Sequence, residues 1–281
     1  MFDSAFKSAR SKIISGLTLT LMAATCFASV GQAASPAEIK AKGTAVIGVQ
    51  MDQVPWGYIN ESGKNEGFDI EVAKMIAEEL GVEAKFERIT GQNRIPLLVG
   101  GMVDFLVPSM TVTEERAKVI QYVLPYSSND ITVWGKKGAQ IAGDQDLGKY
   151  VIGVNRGSAF EPVLVKHAPP NTQIKRFDDD ATTVQALLSG QVDAILGSVT
   201  YGLVIEKTGK TAEFERKYKV ADNIQAMAVR KGDQEMLDFL NDFVTRHTAD
   251  GSLDALYKKW IGSERAKLPT TMTGVDFTGK Q

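Results

Sequence analysis

One fifteen-residue pattern occurs twice, and that repetition constrains the fold more than any other feature. Leu97-Leu-Val-Gly-Gly-Met-Val-Asp-Phe-Leu-Val-Pro-Ser-Met-Thr111 aligns without a gap on Ala186-Leu-Leu-Ser-Gly-Gln-Val-Asp-Ala-Ile-Leu-Gly-Ser-Val-Thr200. Leu98/Leu187, Gly101/Gly190, Val103/Val192, Asp104/Asp193, Ser109/Ser198 and Thr111/Thr200 are identical. In each copy a helical stretch ends at Gly, an apolar strand follows, and Ser-x-Thr lies beyond the strand. Any helix–Gly–strand unit accounts for the Gly and the apolar run, but not for a repeated Ser-x-Thr. A chain written this way folds as two similar lobes.

The elements around each copy alternate. Ala45–Val49 reads as a strand, followed by a helix capped by Asp69 and stopped by Gly81 after Leu80. Val82–Ile89 is a strand, Arg94–Val99 a short helix interrupted by Pro96, and Val103–Val107 a strand. From Ala139 the pattern restarts: strand Val151–Val154, helix Ser158–Lys166, strand Gln173–Phe177, helix Thr182–Leu188, strand Val192–Leu196. Alternation of this kind predicts an α/β fold with mixed, mainly parallel sheets. Two β-type segments, Asp130–Lys136 and Ile224–Arg230, each followed by a Gly (Gly138, Gly232), are the crossings of a two-strand hinge. The helices Asp233–Ala249 and Ser252–Ile261 return to the first lobe. Lobe 1 is therefore expected over residues 34–130 and 226–281, and lobe 2 over 131–225. Ligands of open α/β sheets sit beyond the carboxyl ends of strands, so a cleft is expected between the lobes, lined by Ser109, Thr111, Ser198 and Thr200.

Residues 1–33 read as a secretory signal peptide. Lys7, Arg10 and Lys12 precede the mostly apolar stretch Ile13–Val30, and Gly31-Gln32-Ala33 offers small residues for cleavage. A membrane anchor fits less well, because the stretch carries five Ser/Thr and no basic stop-transfer cluster follows. Lipidation at Cys26 is the minor option, since Ala-Ala-Thr is a poor lead-in to such a site. The whole chain carries 32 basic and 34 acidic side chains, of which the leader takes three and one; the remaining 29 and 33 give net −4. That balance argues against nucleic acid or an anionic membrane as partner. The mature chain has no cysteine, which excludes disulfides and Cys-based zinc sites, and His167 and His247 stand alone. No cofactor or metal is expected. Neither a G-x-S-x-G elbow nor a phosphate loop is present, so no catalytic residue is assigned.

Candidate ligand contacts cluster at helix starts. Thr113 is an N-cap with Glu114 and Glu115 in the first turn, and Arg116 adds a cation where a helix dipole disfavours one unless an anion is near. A bidentate guanidinium beside Thr111 suits a carboxylate, although a pairing with Glu115 would also explain it. Gly157-Ser158 opens a helix in lobe 2, as a plain N-cap or as a second anion contact. Arg94 likewise sits at a helix start, where Pro96 also suggests a local structural role. Trp56, in Pro-Trp-Gly-Tyr, is core or ligand platform. Asp178-Asp-Asp180 reads best as an N-cap cluster before Thr182 rather than a metal site.

These residues carry a resemblance. The chain resembles the periplasmic solute-binding proteins that deliver polar amino acids to ABC importers, over residues 43–262. The matching motifs include Pro55-Trp-Gly-Tyr58, Gly67-Phe-Asp-Ile-Glu-Val-Ala-Lys74, Met110-Thr-Val-Thr-Glu-Glu-Arg116, Gly153-Val-Asn-Arg-Gly-Ser158 and Ser189-Gly-Gln-Val-Asp193. Ile89-Thr-Gly-Gln-Asn-Arg-Ile-Pro-Leu-Leu98 looks most like the glutamate/aspartate branch. The resemblance implies a two-lobed fold that closes on a ligand, Arg116 as the α-carboxylate clamp, and Thr111 and the Ser109 backbone as contacts to the α-amino and carboxylate groups. It implies Gly157 and Ser158 as second-lobe contacts and Arg94 as a side-chain carboxylate contact. Partners follow from it: a small carboxylate or amino-acid ligand and an ABC permease of the inner membrane, the protein itself being a periplasmic monomer. Three positions depart from the family pattern. Ser198 stands where an Asp usually pairs with the ligand ammonium, Gln50 where the acidic-ligand branch has Arg, and Gln53 where an aromatic often stacks. Either another carboxylate moves in, or the ligand lacks an ordinary α-ammonium. The alternative function is an enzyme on the same scaffold, resembling periplasmic cyclohexadienyl (prephenate/arogenate) dehydratases.

Overall fold

The computed structural model describes residues 35–280; the predicted leader and Cys26 lie outside them. The described chain opens with α1 (Pro36–Lys42), capped by a reciprocal Ser35/Glu38 box. Then come β1 (Thr44–Val49) and a small antiparallel sheet of β2 (Asp52–Gln53), β3 (Gly57–Ile59) and β4 (Asn65–Glu66). α2 (Phe68–Leu80) turns Phe68, Ile70, Val72, Ala73, Ile76 and Leu80 into the core, and each of these except Ala73 contributes about 1.5–3 kcal/mol by burial. Gly67, not Asp69, holds its N-cap position; the Asp69 carboxylate points inward and accepts from the Tyr126 hydroxyl at 2.6 Å. β5 (Glu83–Arg88), α3 (Arg94–Val99), β6 (Phe105–Leu106) and the one-turn α4 (Glu114–Ala117) follow. Pro96 leaves α3 unbroken because it is the third residue, where an N–H has no partner within the helix. β6 is shorter than the apolar run Val103–Val107, since a buried run of that kind fixes burial rather than ladder length.

The chain then crosses in β7 (Ile120–Lys136). A 3-10 turn leads to β8 (Val151–Asn155), α5 (Phe160–His167), β9 (Gln173–Phe177), α6 (Asp180–Leu188), β10 (Ala194–Ser198), α7 (Tyr201–Lys207) and the returning β11 (Phe214–Arg230). α8 (Gln234–Ala249) and α9 (Ser252–Ile261) pack back on the first half, placing Leu237, Leu240, Phe243, Leu253 and Tyr257 beside Trp56 and Phe68.

All the larger strands join one mixed sheet in the order β5-β1-β6-β11-β7-β10-β8-β9. β1 is parallel to β5 and β6, and β8 is parallel to β9 and β10, while β7 and β11 run antiparallel to each other. The hinge segments expected from sequence are parts of two far longer strands of 17 residues each. Pro125 hides the first half of β7 from a sequence reading. It is accommodated opposite Ala226 at a register irregularity, where a missing ladder N–H is tolerated.

The sheet is continuous but the hydrophobic core is not. One cluster, around Ile131, Val133, Ile152, Val154 and Leu196, fills the second half of the sheet, and two others, around Ile47, Phe68, Phe105 and Tyr122, fill the first. Between them the crossing strands carry buried Ser127, Asn129, Asn223 and Gln225, bonded to one another across the pair. A polar waist of this kind ends each apolar core and lets the two sides be separate lobes.

The repeat acquires a structural meaning. Gly101 and Gly190 both take positive φ, 71° and 77°. The Asp104 carboxylate accepts from the Val46 N–H at 2.7 Å, and Asp193 accepts from the Val151 N–H at 2.9 Å. In both lobes the same Asp thus ties the return of the chain to the first strand of its βαβ unit.

Candidate functional site

A narrow polar cleft lies between the lobes. Lobe 1 contributes Gln50, Gln53, Arg94, Ser109, Thr111 and Arg116; lobe 2 contributes Asn155, Ser158, Ala159, Phe160 and Asp180. These residues come from strand ends and helix starts, as the open-sheet rule requires.

Arg116 spans the gap. Thr113 caps its one-turn helix, and the turn aims the guanidinium so that Nη1 donates to Thr111 O at 2.9 Å and Nη2 to Gly157 O at 3.0 Å. Gly157 has φ +69°, and a Cβ on Gly91 in lobe 1 would sit 2.6 Å from Arg156 O and 2.9 Å from Gly157 C. The two backbones therefore meet where a side chain would hold them apart. Ser158 is tied locally, its hydroxyl donating to Asn155 O at 2.5 Å and accepting from Phe160 N–H. Ser109 donates to Gln50 Oε1 at 3.1 Å and to Gln53 Oε1.

Arg94 is buried at 4% exposure, and its Nε has no partner. Burial, then the nearby Arg116 charge, lower its pKa to about 9. Two cations this close in a covered cleft favour an anion between them.

Near them is an acid pair, Asp180 in the cleft lining and Asp52 just outside it. The Asp180 N–H donates to Asp52 Oδ2 at 3.0 Å. Asp180 accepts from Gln50 Nε2 at 3.0 Å, Asn155 Nδ2 at 3.2 Å and the Tyr201 hydroxyl. Burial and the neighbouring Asp52 raise its pKa to about 6, and burial and the charge of Asp179 raise that of Asp52. Past this pair lies a mostly apolar hollow of about 320 Å³, lined by Met51, Val54, Tyr58, Val184 and Tyr201 among others.

The nine sequence candidates divide. Gln50, Arg94, Ser109, Thr111, Arg116 and Ser158 line the cleft, and Gly157 reaches it through its carbonyl. Ser198 and Trp56 lie outside the lining. They belong to a buried chain in which Asn223 donates to Asn129, Asn129 to Ser198, Ser198 meets the Thr200 hydroxyl at 2.6 Å, and Trp56 Nε1 donates to Thr200 Oγ1 at 3.2 Å. The expectation that Thr200 faces the cleft fails with them, because the waist and Trp56 consume its hydroxyl.

Sequence reasoning passed over Asp180, Asp52 and Asn155. The signal lay in three consecutive acids, since one cap needs only one. Asp179 caps α6 in a box with Thr182 and pairs with Arg88 at 3.0 Å; Asp178 pairs with Arg156; Asp180 is left for the cleft. Among the described residues no group of three His, Cys, Asp or Glu is placed to hold a metal, and no helix is long and apolar enough to cross a membrane. His167 pairs with Asp144 at 2.7 Å and His247 with Glu79 at 2.6 Å, both away from the cleft.

Comparison with known proteins agrees with this architecture. A family model described as bacterial extracellular solute-binding proteins, family 3, matches residues 45–263. The chain is 29% identical to the L-cystine-binding protein TcyJ of Escherichia coli over 82% of this chain and 87% of that protein. It is 32% identical to the ABC transporter glutamine-binding protein GlnH of Bacillus subtilis, over 91% and 99%. Among solved structures, an ancestral amino-acid-binding protein described as a precursor of cyclohexadienyl dehydratase superposes with a TM-score of 0.72 at 31% identity, covering 81% of this chain and 99% of that one.

Proposed function

Because the chain belongs to the bacterial extracellular solute-binding proteins of family 3, we propose that it captures a small carboxylate ligand for an ABC importer, a polar amino acid of the glutamate, aspartate or glutamine kind. The observation that carries this reading is the meeting of Arg94 and Arg116 in one covered cleft with the Ser158 helix start of the opposite lobe. Two guanidiniums supply a bidentate clamp and a second positive charge, which suits an α-carboxylate with a further polar or acidic group behind it. Relatives named for cystine and glutamine support an amino-acid cargo.

In this reading residues 1–33 are removed on export, and the mature protein works in the periplasm as a monomer. Its lobes, 34–130 with 226–281 and 131–225, close on the ligand about β7 and β11, and the closed form is presented to an inner-membrane permease. Titration calorimetry of the mature protein against the common amino acids and dicarboxylates is the test. Heat from at least one of them is expected, and a folded protein silent across the panel overturns the reading.

One observation favours a second reading. A cleft acid with a pKa of about 6 has the properties of a general acid, and one similar structure is described as a dehydratase precursor. Incubation with prephenate or arogenate separates the two: transport predicts no product.

A further inference from the structure

The acid pair has no cation bonded to it. Asp180 is 3% exposed and its carboxylate takes three hydrogen bonds, all from the neutral donors Gln50, Asn155 and Tyr201. Donors of that kind favour the ionised form without cancelling its charge. Asp52, on the other lobe, holds the Asp180 N–H through Oδ2 and leaves Oδ1 buried without a partner; Asn155, 2% exposed, leaves its Oδ1 in the same condition. Buried acceptors are ordinarily satisfied, and two left open on either side of one buried carboxylate call for a donor-rich cation. The same cleft carries the reverse deficit in the buried Arg94 Nε. Ser198, the position that would ordinarily carry the ammonium partner, is fully buried and engaged by Asn129 and Thr200.

We propose that the carboxylate of Asp180, a residue whose backbone N–H Asp52 holds across the lobes, receives the ligand's ammonium group in place of residue 198. This rests on the carboxylate-binding reading above and adds the second charge. An ammonium offers three donors, and Asp180, Asp52 and Asn155 supply three side chains with acceptor oxygens. Asp180 is linked to both lobes, through Gln50 and Asp52 of lobe 1 and Asn155 and Tyr201 of its own. An ammonium seated there adds a second contact between the lobes beside that of Arg116.

The groups acting on Asp180 are Asp52 and Arg94 from lobe 1 and Tyr201 from α7, with Asp179 and Arg88 acting through Asp52. Protonation of Asp180 around pH 6 removes the ammonium's partner. Affinity for an amino acid is thus expected to fall about tenfold between pH 7 and pH 5, beyond any fall seen for a ligand lacking the amine.

The experiment titrates the mature protein with L-glutamate, L-glutamine and L-cystine, and with glutarate as the amine-free probe, at both pH values, and repeats the set with Asp180→Asn. The expected result is an amino acid binding at least about 100-fold more tightly than glutarate, the extra pH dependence, and loss of that preference in Asp180→Asn. Glutarate binding as tightly as any amino acid, or a folded Asp180→Asn protein with unchanged amino-acid affinity, overturns the proposal and leaves the carboxylate-binding reading standing. Silence toward every probe, extended to the full amino-acid panel, overturns both. If Asp180→Asn does not fold, the wild-type preference and its pH profile decide.

Discussion

The two copies of Ser-x-Thr began as the same sequence element at the same place in the fold, after the strand that completes a βαβ unit. They now do different things. In lobe 1, Ser109 and Thr111 line the cleft, with Ser109 bonded to Gln50 and Gln53 and the Thr111 carbonyl holding Arg116. In lobe 2, Ser198 and Thr200 are drawn into the polar waist and the Trp56 indole. The difference lies in what each copy meets. The strand of copy 1 pairs with β1 and stops short, while that of copy 2 runs on to Ser198 alongside β7. The lobe 2 pair therefore meets Asn129 and Trp56 rather than the cleft. The Asp in each copy, by contrast, kept one role. The two copies thus agree in what each lobe needs internally and differ at the boundary between the lobes.

The comparison can be broken by experiment, most forcefully at Arg116. Arg116→Ala removes the clamp on the lobe 1 side and is expected to weaken ligand binding by about 2–5 kcal/mol, the scale of a buried charged partner lost; calorimetry with an unchanged affinity would take it out of the site. Asp180 of lobe 2 comes next. The folded pKa of Asp180 is raised from 3.8 to about 6, so its charge destabilises the ligand-free protein above that range, and the cost disappears as pH falls toward 4. Relative to Asp180→Asn, wild type is expected to gain up to about 3 kcal/mol in urea unfolding between pH 7.5 and pH 4. A gap that does not change with pH would contradict a raised pKa there.

Smaller effects test the conserved half of the comparison. Asp104→Ala and Asp193→Ala should each cost about 1–3 kcal/mol of stability by orphaning a strand N–H, while leaving ligand affinity within error; a loss confined to one lobe would break the equivalence. Smallest and most diagnostic is the serine pair. Ser109→Ala is expected to weaken binding by about 0.5–1.5 kcal/mol, and Ser198→Ala to lower stability by a similar amount with affinity unchanged. The reverse assignment, read by paired calorimetry and urea unfolding, would place the lobe 2 element in the cleft after all.

Much of this was legible in the residues. The gapless repeat required two related units, helical and strand periodicity placed most elements, and Thr113 followed by Arg116 marked a capped turn with a cation at its mouth. Pro125 concealed half of β7 because its local meaning, a broken ladder, is overridden by the facing irregularity in β11. Asp69 looked like a cap because an acid before an apolar run usually is one, yet Tyr126, distant in sequence, offers its hydroxyl from within the core. Asp180 was read as part of a cap cluster for the same reason: its partners Gln50 and Asp52, Asn155, and Tyr201 lie on three separate segments.

By itself the sequence determined the lobes, because periodicity and capping are local and a repeat doubles whatever they specify. Which hydroxyls and carboxylates face the cleft was decided only by tertiary structure, because a polar side chain takes the nearest partner in space. At the meeting of two lobes, that partner comes from the far part of the chain.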